Sequence, residues 1–175
     1  MTLAKTFGHI QDLNRHIAAQ TLTQDQVDSR TLKLSRQLSD WEYQLPEHIR
    51  PTAPNIEQHR LKSLGGTLID MYLGFHHYST FLYFNHLSLR HGKQTRNPDF
   101  YRSCKSHAVQ YSDLLRVSRQ EKGCEAVYAT VGHMTIVSSA VLVFCSCSGI
   151  TRRRQWRERL VTLTLLKFMS ASDSQ

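Results

Sequence analysis

Glycine and proline are scarce in this sequence, with eight glycines and four prolines among 175 residues. A turn-rich β architecture needs more of both, so their shortage favours helices. Cysteine is also sparse and irregularly spaced, which argues against a disulfide framework and favours a reducing compartment. The four cysteines are Cys104, Cys124, Cys145 and Cys147. The N-terminus, MTLAKTFGHIQDLNRH, lacks an uninterrupted apolar stretch, so we expect no secretory signal.

The length and composition fit one ordinary domain. A chain of 175 residues is short for two domains, and a domain of this size buries roughly two thirds of its unfolded surface. Hydrophobic residues make up 40% of the chain, which argues against wholesale disorder. Lys and Arg outnumber Asp and Glu by 22 to 14, giving a net charge of +8 at pH 7. This balance favours polyanions or acidic surfaces as partners without identifying them.

Two amphipathic helices are predicted in the first 45 residues. Apolar residues recur at three- and four-residue steps from Leu3 to Ile17, which is typical of a helix with one buried face. Thr23 is placed to cap a second helix. One stripe of that second helix is formed by Val27, Thr31, Leu34, Leu38, Trp41 and Leu45.

A proline-rich stretch follows the second helix. Pro46 lacks an amide hydrogen and disfavours helical geometry at Leu45, so the helix is expected to end there. Trp41 and Leu45 are expected to face the core together. The next residues, PEHIRPTAP, contain three prolines and are predicted to form an extended exit.

A third helix is predicted from about Thr67 to Arg90. It is apolar on most faces, which is typical of a central helix, and Gly92 suits its end. Gly65 and Gly66 precede it, and each is expected to weaken the first turns by about 1 kcal/mol relative to alanine.

Three more helical segments are predicted after residue 96. Asn97 suits the cap and Pro98 the first position of a helix. The apolar residues of that helix are Phe100, Cys104, Ala108, Tyr111 and Leu115. A nearly continuous apolar segment runs from Cys124 to about Phe144, and residues 151–175 are predicted to form a basic helix and a solvated tail. The predicted fold is therefore all-α, with one helical bundle-like domain over residues 1–150 and a buried apolar central helix pair.

Four histidines cluster in or beside the third helix. They are His76, His77, His86 and His91. A helical metal site places two ligands four residues apart, and no two of these histidines have that spacing. Because His76 and His77 are adjacent, they point to different faces, so packing and surface roles are favoured over metal binding. Cys145 and Cys147 form Cys-x-Cys instead of Cys-x-x-Cys, so we expect them to act as small buried hydrophobes.

The sequence carries no motif for catalysis or phosphate binding. LGGT lacks the Gly-Lys-Ser/Thr ending of a phosphate-binding loop, and neither SLGG nor CSCSG forms a Gly-x-Ser-x-Gly elbow. Serine, histidine and aspartate are present, but no spacing among them selects a triad. We therefore expect no enzyme, no catalytic residue and no bound cofactor or metal in this chain.

A dense basic run occurs in TRRRQWRERL. Its arginines are Arg152, Arg153, Arg154, Arg157 and Arg159. The run can contact phosphates or serve as a nuclear import signal. A solvated helix start is at least as well supported by the same residues.

The segment from Ala126 to Ile150 has two interpretations. It contains no Asp, Glu, Lys or Arg, and arginines follow almost at once. Its length and flank fit a membrane span with a positive cytoplasmic end. A fully buried helix of a soluble bundle gives the same pattern, and the many serines and threonines are a high polar load for a lone span. A buried bundle helix is favoured, and a small membrane-anchored helical protein is the alternative.

The order of the predicted segments along the chain resembles that of a known protein family. Leu38, Trp41, Leu45 and Pro46 form a Leu-x-x-Trp-x-x-x-Leu-Pro segment. A proline-rich exit, a His- and Tyr-containing apolar helix, and helices such as YRSCKSHAVQYSDLLR and VYATVGHMTIVSSAVLVF follow. In this order, over about residues 22–144, the chain resembles the middle homology region of fungal binuclear-zinc-cluster transcription factors.

The resemblance implies a regulatory region in the nucleus that restrains or relays activation. It would act through intramolecular contacts, protein partners or a small effector, and would not itself recognise a DNA sequence. The implied partners are the DNA-binding part of a longer regulator or other transcription factors, and a homodimer is also compatible. The family holds its zinc in a separate N-terminal module with six cysteines. Zinc is therefore expected only in that missing module, and the chain looks like a fragment or a degenerate relative.

Overall fold

Every secondary-structure element in the part of the chain that the structure describes is a helix. The structure is a computed structural model that describes residues 2–87, 97–126 and 131–146. The helices are α1 (Leu3–Ala18), α2 (Gln24–Tyr43), α3 (Ala53–Leu61), α4 (Gly65–Tyr83), α5 (Pro98–Gln120) and α6 (Val131–Ser146), with 3-10 helices at Glu47–Ile49 and Phe84–Leu87. The all-α prediction is confirmed.

The first two helices form as their sequence patterns predict. Thr23 caps α2 with a reciprocal pair of hydrogen bonds: the backbone N–H of Gln26 donates to the Thr23 hydroxyl, and the Thr23 N–H donates to the Gln26 side chain. In α1, Ile10 and Leu13 are buried. The predicted stripe of α2 is buried at Val27, Thr31, Leu34 and Leu38. Both helices pack against α4 and against each other.

The stretch after α2 is not the extended exit that its prolines predicted. It contains the 3-10 helix Glu47–Ile49 and then the nine-residue helix α3, with Pro54 in its first turn. Proline costs no intrahelical hydrogen bond in a first turn, so it opens α3 instead of preventing it. The Asn55 side-chain amide donates to the carbonyls of Glu47 and Arg50 at 2.7 and 3.1 Å, which ties the two short helices together.

Helix α4 is the centre of the bundle, as predicted. Thirteen of its 19 residues are buried, and it contacts α1, α2, α3, α5 and α6. It begins at Gly65 instead of Thr67, and it ends at Tyr83, after which the chain continues as 3-10 helix to Leu87. The rest of the predicted helix to Arg90, and its predicted stop at Gly92, lie outside the described residues.

Helix α5 starts as predicted. The Asn97 side chain accepts a hydrogen bond from the backbone N–H of Asp99 at 3.0 Å, and Pro98 occupies the first helical position. The buried residues of its apolar side include Phe100, Cys104, Ala108, Tyr111 and Leu114, whereas Leu115 is half-buried. This side packs on α4 along the length of both helices.

Helix α6 differs from the prediction that residues 126–150 form a buried centre. It packs against α5 and α4 with one side only, where Val137 and Val141 are buried. Among the described residues its opposite side is open, and Ile136 and Val143 are 60% and 61% exposed. Of the two central helices that were predicted to be buried, α4 is buried on most sides and α6 is covered on one side. Residues 127–130 and 147–150 lie outside the described residues.

The membrane interpretation of the same segment requires a helix that is long and apolar enough to cross a bilayer. In residues 2–87, 97–126 and 131–146, no helix is both long enough and apolar enough to cross a bilayer.

Candidate functional site

Histidines enclosed by the helices form the most unusual feature of the core. His76 and His77 are both 2% exposed and lie side by side on α4. Successive residues of a helix are rotated by about 100°, so the two rings leave α4 in different directions. His76 meets His107 of α5, and His77 meets His133 of α6. The prediction that these adjacent histidines point to different faces is confirmed.

The first of these contacts is a direct hydrogen bond between two imidazoles. The Nδ1 atoms of His76 and His107 lie 3.0 Å apart, so one ring donates its N–H and the other accepts it. Phe75 meets the His107 ring edge-on, and Tyr83 stacks on it with the planes 10° apart. Burial, reinforced by the neighbouring His107, lowers the pKa of His76 to about 3. Burial also lowers the pKa of His107 to about 4.

The second contact is looser and lies between α4 and α6. The rings of His77 and His133 are 6.2 Å apart between centroids and meet edge to face. His77 also stacks on Phe81 at 6.3 Å, and its Nδ1 has no hydrogen-bond partner among the described residues. Burial, followed by the neighbouring His133, lowers the pKa of His77 to about 3. We call His76–His107 and His77–His133 the histidine pairs.

His86 occupies a different environment at the end of the central helix. Its Nε2 lies 3.1 Å from the hydroxyl of Thr31, and its Nδ1 lies 3.7 Å from a carboxylate oxygen of Asp28. Burial lowers the pKa of His86, while Asp28 acts in the opposite direction. The Asp28 carboxylate is a partner that stabilises the cation of this histidine.

Tyrosine hydroxyls attach the outer helices to this core. Tyr83 of α4 donates to the hydroxyl of Ser35 on α2 at 2.7 Å. Tyr111 of α5 donates to the carbonyl of Val131 at 3.1 Å, at the first residue of α6. These bonds link α2 to α4 and α6 to α5, and they give partners to hydroxyls that would be costly to bury alone.

The Cys104 thiol is held in an unreactive form. Cys104 is fully buried, its thiol lies 3.5 Å from the carbonyl of Thr80, and burial raises its pKa, which keeps it protonated. Within the described ranges, no three His, Cys, Asp or Glu side chains come together in a way that could hold a metal ion. The buried positions of His76, His77 and His86 fit the predicted packing role. His91 and Cys147 lie outside the described residues.

The resemblance motif lies where α2 ends on α4. Leu38 is 3% exposed, and Trp41 stacks on Phe75 of α4 with a centroid distance of 5.3 Å. Trp41 and Leu45 are both half-buried and pack against the core, so they face it together but lie at its edge. Pro46 is exposed and precedes the 3-10 helix.

The arginines of the basic run lie outside the described residues. These are Arg152, Arg153, Arg154, Arg157 and Arg159. The described residues carry 13 Lys and Arg against 12 Asp and Glu, so they are almost neutral. The positive excess of the chain therefore falls in residues 88–96, which contribute +3, and residues 147–175, which contribute +4.

Two residues of the histidine pairs were missed by sequence reasoning. His107 lies seven residues after Phe100 and three after Cys104, so it falls on the buried side of α5, and its position was a usable signal. His133 stands in the nearly continuous apolar segment, and nothing in its local sequence indicates His77 as a neighbour.

Comparisons of the chain with protein-family models, with curated proteins and with solved structures find no match.

Proposed function

We propose that this chain is the regulatory region of a fungal-type transcription factor, similar to the middle homology region of the binuclear-zinc-cluster regulators. In this proposal it acts in the nucleus and modulates transcription through protein contacts or a small effector. It performs no catalysis, needs no metal of its own, and leaves recognition of a DNA sequence to another module or protein.

The observation that carries this proposal is the packing of the Leu-x-x-Trp-x-x-x-Leu-Pro segment. Its spacing puts Leu38 in the core and Trp41 on Phe75, so the end of α2 closes onto the central helix that bears the histidines and tyrosines. The motif and helix α4, which comes later in the chain, are therefore neighbours in space. Such a contact gives the order of the resembled segments a structural reason and supports the family interpretation.

The surface of the bundle is compatible with regulation through protein contacts. The outer side of α6 presents Ile136 and Val143, both more than half exposed among the described residues. The near-neutral charge of the described helices makes them poor binders of a polyanion. Contacts with DNA phosphates are assigned instead to the arginine run.

A DNA-binding titration tests this division of roles. We expect the purified chain to bind DNA duplexes of defined and of random sequence equally and weakly, because phosphate contacts carry no sequence information. Replacing Arg152, Arg153 and Arg154 by glutamine should reduce the slope of log K against log salt by about 2–3, since each phosphate contact contributes roughly 0.9.

The matched control replaces three exposed arginines of the described helices, Arg30, Arg36 and Arg119, by glutamine. This variant removes the same charge and should leave the slope almost unchanged. A clear preference of the unmodified chain for one duplex sequence would contradict the proposal, and an equal effect of both triple substitutions would contradict the role of the arginine run.

A further inference from the structure

The open side of α6 consists of a single line of residues. Within residues 131–145, the exposed positions are Gly132, Ile136, Ser139 and Val143, which we call the α6 stripe. Their steps of four, three and four residues keep them in one line along the helix, which is the spacing of a helix–helix contact. Because Ile136 and Val143 are 60% and 61% exposed, this line leaves two branched aliphatic side chains uncovered among the described residues.

The α6 stripe carries no charge, whereas the exposed side of the neighbouring helix α5 does. Helix α5 exposes Arg102, Lys105 and Asp113 to water. In contrast, no Asp, Glu, Lys or Arg occurs from Ala126 to Ile150. A line of aliphatic and small side chains without a charge is typical of a contact surface, because apolar area left in water costs free energy.

The part of the chain that follows α6 offers a matching line of large side chains. Residues 147–150 separate α6 from the basic helix that the sequence predicts from residue 151, and links this short join antiparallel neighbours in helix bundles. In that predicted helix, Trp156, Leu160 and Leu163 recur at steps of four and three residues. Counted back from the link at 1.5 Å per residue, they come level with the middle of α6.

Size and connection favour this segment over a second copy of the chain as the occupant. A stable contact between separate chains uses about 20–30 residues on each side, far more than the four residues of the α6 stripe. The segment after α6 is joined to it, so its local concentration is of the order of millimolar and a smaller contact is enough. Its large side chains also fit opposite the small Gly132 and Ser139, as large and small residues interlock between packed helices.

We propose that residues 156–163 pack along the α6 stripe through Trp156, Leu160 and Leu163. The segment then occupies, within the same chain, the surface that the proposed function offers to protein partners, so a partner has to displace it. The inference itself rests on α6 and on the sequence that follows it, and it does not depend on the proposed function.

Amide hydrogen exchange of the full chain at two protein concentrations tests this contact. We expect the amides of residues 156–163 to be protected at both concentrations, because the contact lies within one chain. Ile136→Asp places a carboxylate in the apolar contact and should lower this protection by about tenfold or more. The matched control is Val109→Asp, which changes a 40% exposed valine of α5 and should leave the protection of residues 156–163 unchanged.

The reciprocal substitution tests the contact from the other side. Leu160→Asp should lower the protection of the amides of α6, while α4 keeps its protection and shows that the protein is folded. Thr162→Asp is the control, because residue 162 lies about 200° from residue 160 around a helix and so on its other side.

The fluorescence of Trp156 gives an independent measurement. The chain has two tryptophans, so Trp41→Phe leaves Trp156 as the only one. Acrylamide should quench its emission less in this protein than in the same protein that also carries Ile136→Asp. Equal quenching in the two proteins would contradict the contact.

Two results of the exchange measurement would overturn the proposal. One is rapid exchange of residues 156–163 in the unmodified chain, or protection that Ile136→Asp leaves unchanged. The other is protection that appears only at the higher protein concentration, together with a dimeric mass in sedimentation, which would assign the α6 stripe to a second copy of the chain.

Discussion

Gly65→Ala is expected to destabilise the protein by about 2–3 kcal/mol. A Cβ atom at Gly65 would collide with the backbone carbonyl oxygen of Gly123 and would lie 2.9 Å from the sulfur of Cys124. Backbone atoms cannot rotate away as a flexible side chain can, so the segment after α5 would have to move. Gly66 has the same relation to the carbonyl oxygen of Glu125, which a Cβ atom would meet at 2.5 Å.

Gly74→Ala is the matched control for this substitution. Gly74 lies on the same helix, and a Cβ atom there meets nothing within 4 Å. Alanine should therefore stabilise α4 at this position by up to about 1 kcal/mol, through helix propensity. The free energy of unfolding in urea distinguishes the two variants. Equal stability of the Gly65 and Gly74 variants would show that the segment 123–125 does not pack against the start of α4.

Leu38→Ala and Trp41→Ala are expected to give the second large effect, because Leu38 packs in the core and Trp41 stacks on Phe75 of α4. Leu38 is 3% exposed, and its truncation should cost about 2–5 kcal/mol. Trp41 would cost 3–5 kcal/mol if it were fully buried. Since it is only half-buried, we expect about 2–3 kcal/mol, including the loss of its stacking on Phe75.

Tyr43→Ala controls for the loss of an aromatic residue at the same helix end. Tyr43 is 82% exposed, so its replacement should change the free energy of unfolding by no more than about 0.5 kcal/mol. Thermal or urea unfolding of the three variants measures the differences. A Trp41→Ala protein as stable as the Tyr43→Ala protein would show that the motif faces water and would remove the observation on which the proposed function rests.

The local features of the fold could be predicted from the sequence. Helix starts depend on a few consecutive residues, so Thr23 and the Asn97–Pro98 pair indicated the beginnings of α2 and α5 correctly. Periodicity identified the buried stripe of α2, including Thr31, because the step between apolar residues reports directly on the face of a helix. The central role of α4 followed from its lack of a polar face.

Features that depend on distant residues could not be predicted in this way. Gly65 was interpreted as a weakness of α4, yet its lack of a side chain lets residues 123 and 124 approach. Pro54 was interpreted as part of an extended exit, although a proline in a first turn is compatible with a helix. The open side of α6 carries aliphatic residues, Ile136 and Val143, as its buried side does, so hydropathy alone could not separate the two sides.

The histidine pairs show the same limit at the candidate site. Each pair joins residues at least 31 positions apart, and a sequence pattern reports only on the helix that contains it. The spacing of His76 and His77 excluded a simple helical metal site but could not name His107 or His133 as their neighbours. Those contacts arise from the way α5 and α6 cross α4.

The most direct test of the proposed regulatory role is a tethering measurement in a fungal host. The chain is fused to a heterologous DNA-binding module and activation segment, and the output of a reporter is compared with that of the same fusion without the chain. We expect the intact chain and its Gly74→Ala variant to change the output in the same direction, and the destabilised Gly65→Ala variant to lose that effect at equal protein level. Identical output with and without the chain would contradict the proposal that it is a regulatory region.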